Sequence, residues 1–535
     1  MTHLSLLSYH LFADVRCSVW IGALLAVFIW CGQAESADKS SPQLQVAAAR
    51  FGITPSKVIK TNTAKLAKEA RIAGPLKTTV TLLDDGKAMV CCICCDWVKI
   101  PRNAMQLFRR ALAIELAIPE DQVIFFASHN HSDTSLILDE SGGFEWGLPP
   151  YEGPPAQLNE IGHELLDHLL ASVKTLKSDL QPATIWWSVG NEDRITYNRK
   201  GRRADGSTFL MREEDRIQQG TDFRGDIDTQ APVIVFKNER GEPIVAWVQF
   251  TGHPVTSFSP EEPVVFGDYP AIACDYLGKK LGDGENEVPV AFFQGCAGDV
   301  NSKEMFRGGV KRAIEFGEML GQSYVAALPN LKKSERGDLD FAFSVAKLPL
   351  AELPSEEALR RDLAEIEDFI RRARNGDENA LHCVGLNFPR DLSPEYRAGL
   401  VDRVRMWTEW ALEIRQSGGD DPLPEHLPVS LWIVRVGDIG LAGMPLEPFQ
   451  GIGRQIRRDA ELPLVLTCGY ANYTMGYIPD GPNVNDREYM SSFHRYSASE
   501  NKSIRPRPPL KVPGGDVIAQ ETVRILNQMA GESVE

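Results

Sequence analysis

Val123-Ile-Phe-Phe-Ala127 is an apolar run of strand length that stops abruptly at Ser128-His129-Asn130-His131-Ser132-Asp133. A run this short and this apolar fits a strand covered on both faces. Alternate residues of a strand point to one side, so His129 and His131 are expected to converge just beyond its end. Open α/β sheets keep their ligand chemistry at the C-terminal ends of strands. Imidazole is the commonest metal-binding side chain. The stretch therefore predicts a metal site; the competing reading is a pair of surface histidines in a loop. Asp133 reads as a loop residue.

The rest of the chain repeats this pattern of short apolar runs between amphipathic segments. Strands are predicted over 44–51, 78–83, 88–95, 184–189, 232–237, 244–250, 288–293, 341–348, 429–436, 439–442 and 464–467. Asp84-Asp85-Gly86 between two such runs is a hairpin signal. Helices are predicted over 101–116, 157–176, 310–328 and 516–529, with others ending at Leu281 and Arg458. The mixture predicts an α/β fold: a mixed β-sheet core flanked by helices. One domain is expected over 44–535, with a charged, amphipathic helical insertion over 355–416 and a linker over 422–428. The Gly- and Pro-rich stretch 141–155 reads as a loop over the site.

Arg16 precedes the apolar run Val19–Trp30, and Gly32-Gln33-Ala34 offers small residues for cleavage. Residues 1–34 thus read as a signal peptide, which predicts a secreted or periplasmic protein. An uncleaved anchor is the alternative. The net charge of −16 argues against a nucleic-acid partner, which needs an excess of Lys and Arg to meet phosphates. The run Cys91-Cys-Ile-Cys-Cys95 resembles a metal knuckle only superficially. Adjacent strand residues point to opposite faces, so the four thiols are expected to pack as small hydrophobes. His163 and His168 form a near miss for HExxH; five residues apart, they do not share a helix face and read as surface histidines.

Other runs also end in groups suited to metals or protons. One strand stops at Thr251-Gly-His253-Pro254, another precedes Glu447, and a third leads to a tyrosine cluster, Tyr470, Tyr473 and Tyr477. Mixed N and O ligands with one position open to water suit catalytic zinc. Arg199 could face an oxyanion formed on a carbonyl.

In this ordered set the chain resembles the neutral/alkaline ceramidase family, specifically its N-terminal catalytic domain. The matching elements are Gly52-Ile-Thr-Pro55, His129-Asn-His131-Ser132, His253-Pro254, Gly267-Asp-Tyr-Pro270, Gln294-Gly-Cys-Ala-Gly298-Asp299 and Pro445-Leu-Glu447. The resemblance implies Zn2+ held by His129, His253, Glu447 and Tyr477, with Tyr473 as the fallback. It implies His131 as the proton handler beside the metal and Arg199 as an active-site cation. The implied reaction is hydrolysis of an N-acyl sphingoid base or other N-acyl amide, a lipid substrate that also raises the expectation of contact with a membrane surface. Two features depart from the family. Asn301 stands in the place of a serine important for activity there, with Ser302 one residue late. The family's C-terminal immunoglobulin-like domain is not expected here. Asn301 keeps a second reading open, a catalytically impaired domain that binds a lipid or glycan. A metallo-β-lactamase-like reading of His129, His131 and Asp133 needs a histidine at position 134, where Thr134 stands.

Overall fold

Three mixed sheets share one apolar centre, and each is covered on its outer face by helices. The computed structural model describes residues 43–54, 70–138, 147–148, 156–259, 262–283, 286–417, 423–498 and 505–531. The leader read over 1–34 lies outside them, as does most of the loop read over 141–155.

The first sheet runs, edge to edge, Val123–Ala127, Met89–Cys95, Leu76–Asp84, Gln45–Ile53 and Gln181–Pro182. The second runs Val290–Gln294, Pro243–Phe250, Gln230–Lys237, Thr184–Asn191 and Lys332–Lys333. The third runs Leu339–Pro349, His426–Val436, Ile439–Gly443 and Leu464–Cys468. In each sheet the pairs are antiparallel except one at an edge. The parallel pairs are Met89–Cys95 with Val123–Ala127, Pro243–Phe250 with Val290–Gln294, and Ile439–Gly443 with Leu464–Cys468. A parallel pair brings two C-terminal ends to the same side. The chain thus gains three doubled sources of loops for a site.

The sequence alternation explains the layering. Val46, Cys92, Cys94, Ile124 and Phe126 face the shared centre from the first sheet. Ile234, Phe236, Trp247 and Phe293 meet them from the second, and Trp432, Val434, Leu441 and Leu466 from the third. Cys91 and Cys95 point the other way, into the layer under the helices Arg102–Leu116 and Glu160–Asp179. The four thiols are buried and free, and burial pushes all of them up from their ordinary range. Side chains as large as Trp247, fully buried here, are generally worth about 3–5 kcal/mol against truncation to alanine. The second sheet is covered by helices Asp268–Leu281 and Gly309–Ala327, the third by Gln450–Asp459 and Asp516–Gly531. His163 and His168 are exposed on their helix.

One expectation needs correction. The linker read over 422–428 becomes, from His426, the start of an eleven-residue strand paired with Leu339–Pro349. Pro428 is tolerated because the neighbour on its other side pairs only with Trp432–Val436. The insertion 355–416 is mostly helical, as its sequence predicts. Between helices Glu356–Arg374 and Pro394–Ser417 lies a small hairpin, His382–Cys383 with Leu386–Asn387. That hairpin packs with Leu210, Phe449, Tyr477 and Phe493, so the insertion joins the main core beside the site.

Candidate metal centre

The loops leaving the three parallel edges meet at one end of a cavity of about 180 Å3. His129 follows the first sheet. Its backbone is held in the left-handed region at φ 62°, a conformation uncommon outside glycine that concentrates at functional sites. Trp97 O fixes its backbone N–H at 3.0 Å and Val98 O fixes its Nδ1 at 2.8 Å. With Nδ1–H donating there, Nε2 carries a lone pair toward the cavity. His131 Nε2 lies 3.3 Å away. The two rings therefore converge through a turn and not by the strand pleat, because the strand ends at Ala127. Asp133 is more than a loop residue. It is fully buried, and its Oδ2 accepts from Val98 N at 2.9 Å, supporting the carbonyl that holds His129.

The second sheet delivers His253. Its Nδ1 lies 2.7 Å from Ala297 O, and its Nε2 lies 3.2 Å from Glu447 Oε2. The glycine loop after Val290–Gln294 grips it further. His253 N donates to Val300 O and Ser302 N donates to His253 O. Gly298 is required there, because a Cβ would come within 2.5 Å of Glu447 O. The third sheet delivers Glu447 and Tyr477, which are partners in a short parallel pairing, Glu447–Pro448 with Tyr477–Ile478. Glu447 Oε2 is 3.4 Å from His129 Nε2, and Tyr477 Oη is 3.5 Å from His253 Nε2.

Arg199 enters from a strand, Thr196–Asn198, paired with Val300–Ser302. It is buried, donating from Nη2 to Tyr477 Oη at 2.9 Å and Gly298 O at 2.7 Å, and from Nη1 to Asn301 Oδ1 at 3.1 Å. Asn301 itself is fully buried and does not line the cavity. Its side chain meets the site through Arg199 and through Met305, whose Sδ lies 2.7 Å from its Nδ2. Ser302 points elsewhere, its hydroxyl accepting from Thr256 Oγ1 at 2.8 Å. Tyr473 also stays away from the cavity, stacked under Arg102 at 4.3 Å and beside Trp432.

The electrostatics favour neutral rings at His131 and His253 beside the Glu447 anion. Burial pushes His253 down to about 3, Arg199 and His129 acting the same way, and burial also pushes His131 well down. Burial works against the Glu447 carboxylate, but His129 and His253 hold it well below its usual range. Burial holds the Tyr477 phenol well above its usual range, and Arg199 opposes this. The donor set fits a borderline divalent cation. Nitrogen atoms of His129, His131 and His253 lie within 4.8 Å of one another, a carboxylate is adjacent, and two of the rings are anchored through Nδ1 by carbonyls. His131 thus joins the group able to hold an ion, as well as being placed to take a proton.

Acid should expose this burial. A histidine whose folded pKa is below the unfolded value of about 6.5 is charged first in the unfolded chain. Stability is then complete above pH ~6.5 and is lost as pH falls toward 3. For His253 the loss is roughly 3–5 kcal/mol, at about 1.4 kcal/mol per tenfold change in proton affinity. Urea midpoints of chelator-treated protein at pH 7, 5.5 and 4 should fall steeply, and less steeply in His253→Gln. Equal slopes in the two proteins would contradict the assignment.

Tyr470 is the contributor that sequence reasoning left without a role. Its ring stacks on His129 at 4.0 Å, with φ 57°. Its position two residues past an apolar strand, like that of His129, was the available signal. Asn472 beside it bonds both ways with the backbone of Phe125, tying the tyrosine loop to the His129 strand.

Fold and site together define a mixed α/β chain carrying a candidate metal centre at the end of an apolar cavity. No family model and no curated protein sequence matches the chain. Among solved structures it is similar to a neutral ceramidase from Pseudomonas aeruginosa, at 15% identity and TM-score 0.59, over 92% of this chain and 75% of that one. It is likewise similar to a ceramidase complexed with C2, at 15% identity and TM-score 0.60, over 91% of this chain and 75% of that one. At this identity the likeness is one of fold. Among the described residues no helix is long and apolar enough to cross a membrane.

Proposed function

We propose that the chain is an exported, zinc-dependent hydrolase that cleaves the amide bond of an N-acylated amphiphile, an N-acyl sphingoid base or another N-acyl amide. The observation that carries this reading is the convergence of His129, His131, His253 and Glu447 at one end of a cavity with a largely apolar lining. The fold shared with ceramidases supports it. His129, His253, Glu447 and Tyr477 would hold the zinc. When bound, zinc supplies Lewis acidity, lowering the pKa of water to about 7 and polarising a carbonyl. His131, half-buried on the cavity wall, takes a proton at Nε2 and returns it to the leaving amine. Arg199 turns its charge toward the carbonyl oxygen as negative charge develops there. Leu392 and Leu400, both from the insertion, give the acyl chain an apolar wall and keep water out.

The test is turnover. Zinc-loaded protein without the leader is offered short- and long-chain ceramides, N-acylethanolamines and N-acyl amino acids, and amine release is followed. Hydrolysis of at least one class, lost on chelation and restored by zinc, is expected. Stoichiometric zinc with no hydrolysis of any class would overturn the reading in favour of a domain that only binds lipid.

A further inference from the structure

Arg212 is a cation without a counter-ion. It lines the same cavity as the candidate centre and is 9% exposed. Its Nε reaches Asn387 O at a long 3.4 Å and its Nη1 reaches only Met305 Sδ at 3.8 Å. The three carboxylates that follow it in sequence are all engaged elsewhere. Glu213 pairs with Arg216 and Glu214 with Arg307. Asp215 accepts from the backbone N of Arg212 and from Asn387 Nδ2 at 2.8 Å. Among the described residues no carboxylate pairs with the Arg212 guanidinium. Burial pushes its pKa down, and Arg199 acts in the same direction, although Tyr197 opposes it. A guanidinium nevertheless stays charged in proteins. An unpaired buried charge is costly, and the cost is removed when a ligand supplies the opposite charge. Leu210, Phe306 and Phe388 line the cavity with it, alongside the polar Lys99, Asn387, Tyr396 and Tyr489, none of them a carboxylate. Met305 Sδ touches both Arg212 and Asn301, and Asn301 holds Arg199. Arg212 is thus linked to Arg199 through two side chains, and the two guanidiniums are near enough for Arg199 to act on it.

We propose that the cavity selects N-acyl amides whose amine half carries an anion, held by Arg212. N-acyl amino acids and N-acyl taurines have this chemistry; ceramides and N-acylethanolamines do not. The turnover part of this proposal rests on the amide-hydrolase reading, and the binding part does not.

The test compares N-dodecanoylglycine, N-dodecanoyltaurine and N-dodecanoylethanolamine, which separate carboxylate, sulfonate and neutral head groups. Wild-type zinc-loaded protein should favour the anionic compounds in kcat/KM by about 10- to 100-fold, what a charge-assisted hydrogen bond is generally worth. Arg212→Gln should lose most of that preference, chiefly through KM, and Arg212→Lys should keep part of it. The same three compounds are titrated calorimetrically into the His129→Ala protein, where no turnover is needed. Tighter binding of the anionic pair without hydrolysis in the wild type supports the anion site and sinks the hydrolase reading. Equal binding and equal turnover of all three overturn the anion site and leave the hydrolase reading standing. A preference that survives in Arg212→Gln also overturns the proposal.

Discussion

Replacing His253 by alanine is expected to strip the protein of zinc and to lower its turnover of N-acyl amides about a thousandfold or more. A metal's stabilisation of a transition state is worth several kcal/mol, and each 1.4 kcal/mol or so is tenfold in rate. His253 is the most enclosed of the three histidines, and its ring is aimed from both ends. Ala297 O holds Nδ1 at 2.7 Å while Glu447 lies 3.2 Å from Nε2. Alanine removes one nitrogen and leaves Glu447 with His129 alone at 3.4 Å. Chelation of the wild type should reproduce the loss and added zinc should reverse it, whereas zinc should not rescue the variant. Metal content per chain, turnover and thermal midpoint are measured together. A folded His253→Ala protein that kept one zinc per chain and wild-type turnover would remove His253 from the site.

Arg199→Gln is expected to retain zinc while kcat falls about 10²- to 10³-fold, the usual cost of losing a preorganised group at a developing oxyanion. The effect should fall on kcat more than on KM, because the charge matters most when negative charge develops. Arg199→Lys should rescue little. The guanidinium spans Gly298 O, Tyr477 Oη and Asn301 Oδ1 at once, and an ammonium on a flexible stem cannot. The network is buried, so thermal midpoint and zinc content are read alongside. A kcat within twofold of wild type in Arg199→Gln would assign Arg199 a packing role only.

The positions of His129, His253 and Glu447 were legible because each follows an apolar strand, a local signal that survives without tertiary context. The hairpin at Asp84-Asp85-Gly86 was legible for the same reason, and Gly86 indeed takes φ 81°. The cysteine run was legible from the period of a strand, and its thiols do separate into two layers. Tyr473 and Tyr477 were nearly equivalent on paper. The pairing of Glu447 with Tyr477 separates them by putting Tyr477 at the cavity and Tyr473 under Arg102. Asn301 was identified by position, yet its side chain lies behind Arg199 and off the wall. Arg212 carried no signal at all. Nothing in a run of Arg-Glu-Glu-Asp says that all three acids will be taken by other partners.

Periods and breaks in the chain thus determined the α/β class, the strand ends and the kinds of side chain placed there, since these depend on neighbours within a few residues. Tertiary structure alone decided which ends meet. Three parallel edge pairs from three sheets, separated by up to several hundred residues, had to pack on one apolar centre before His129, His253 and Glu447 could share a point. The same packing set His129 in its left-handed turn and left Arg212 buried without an anion, because backbone strain and unpaired charge are held only by a surrounding structure that outweighs them.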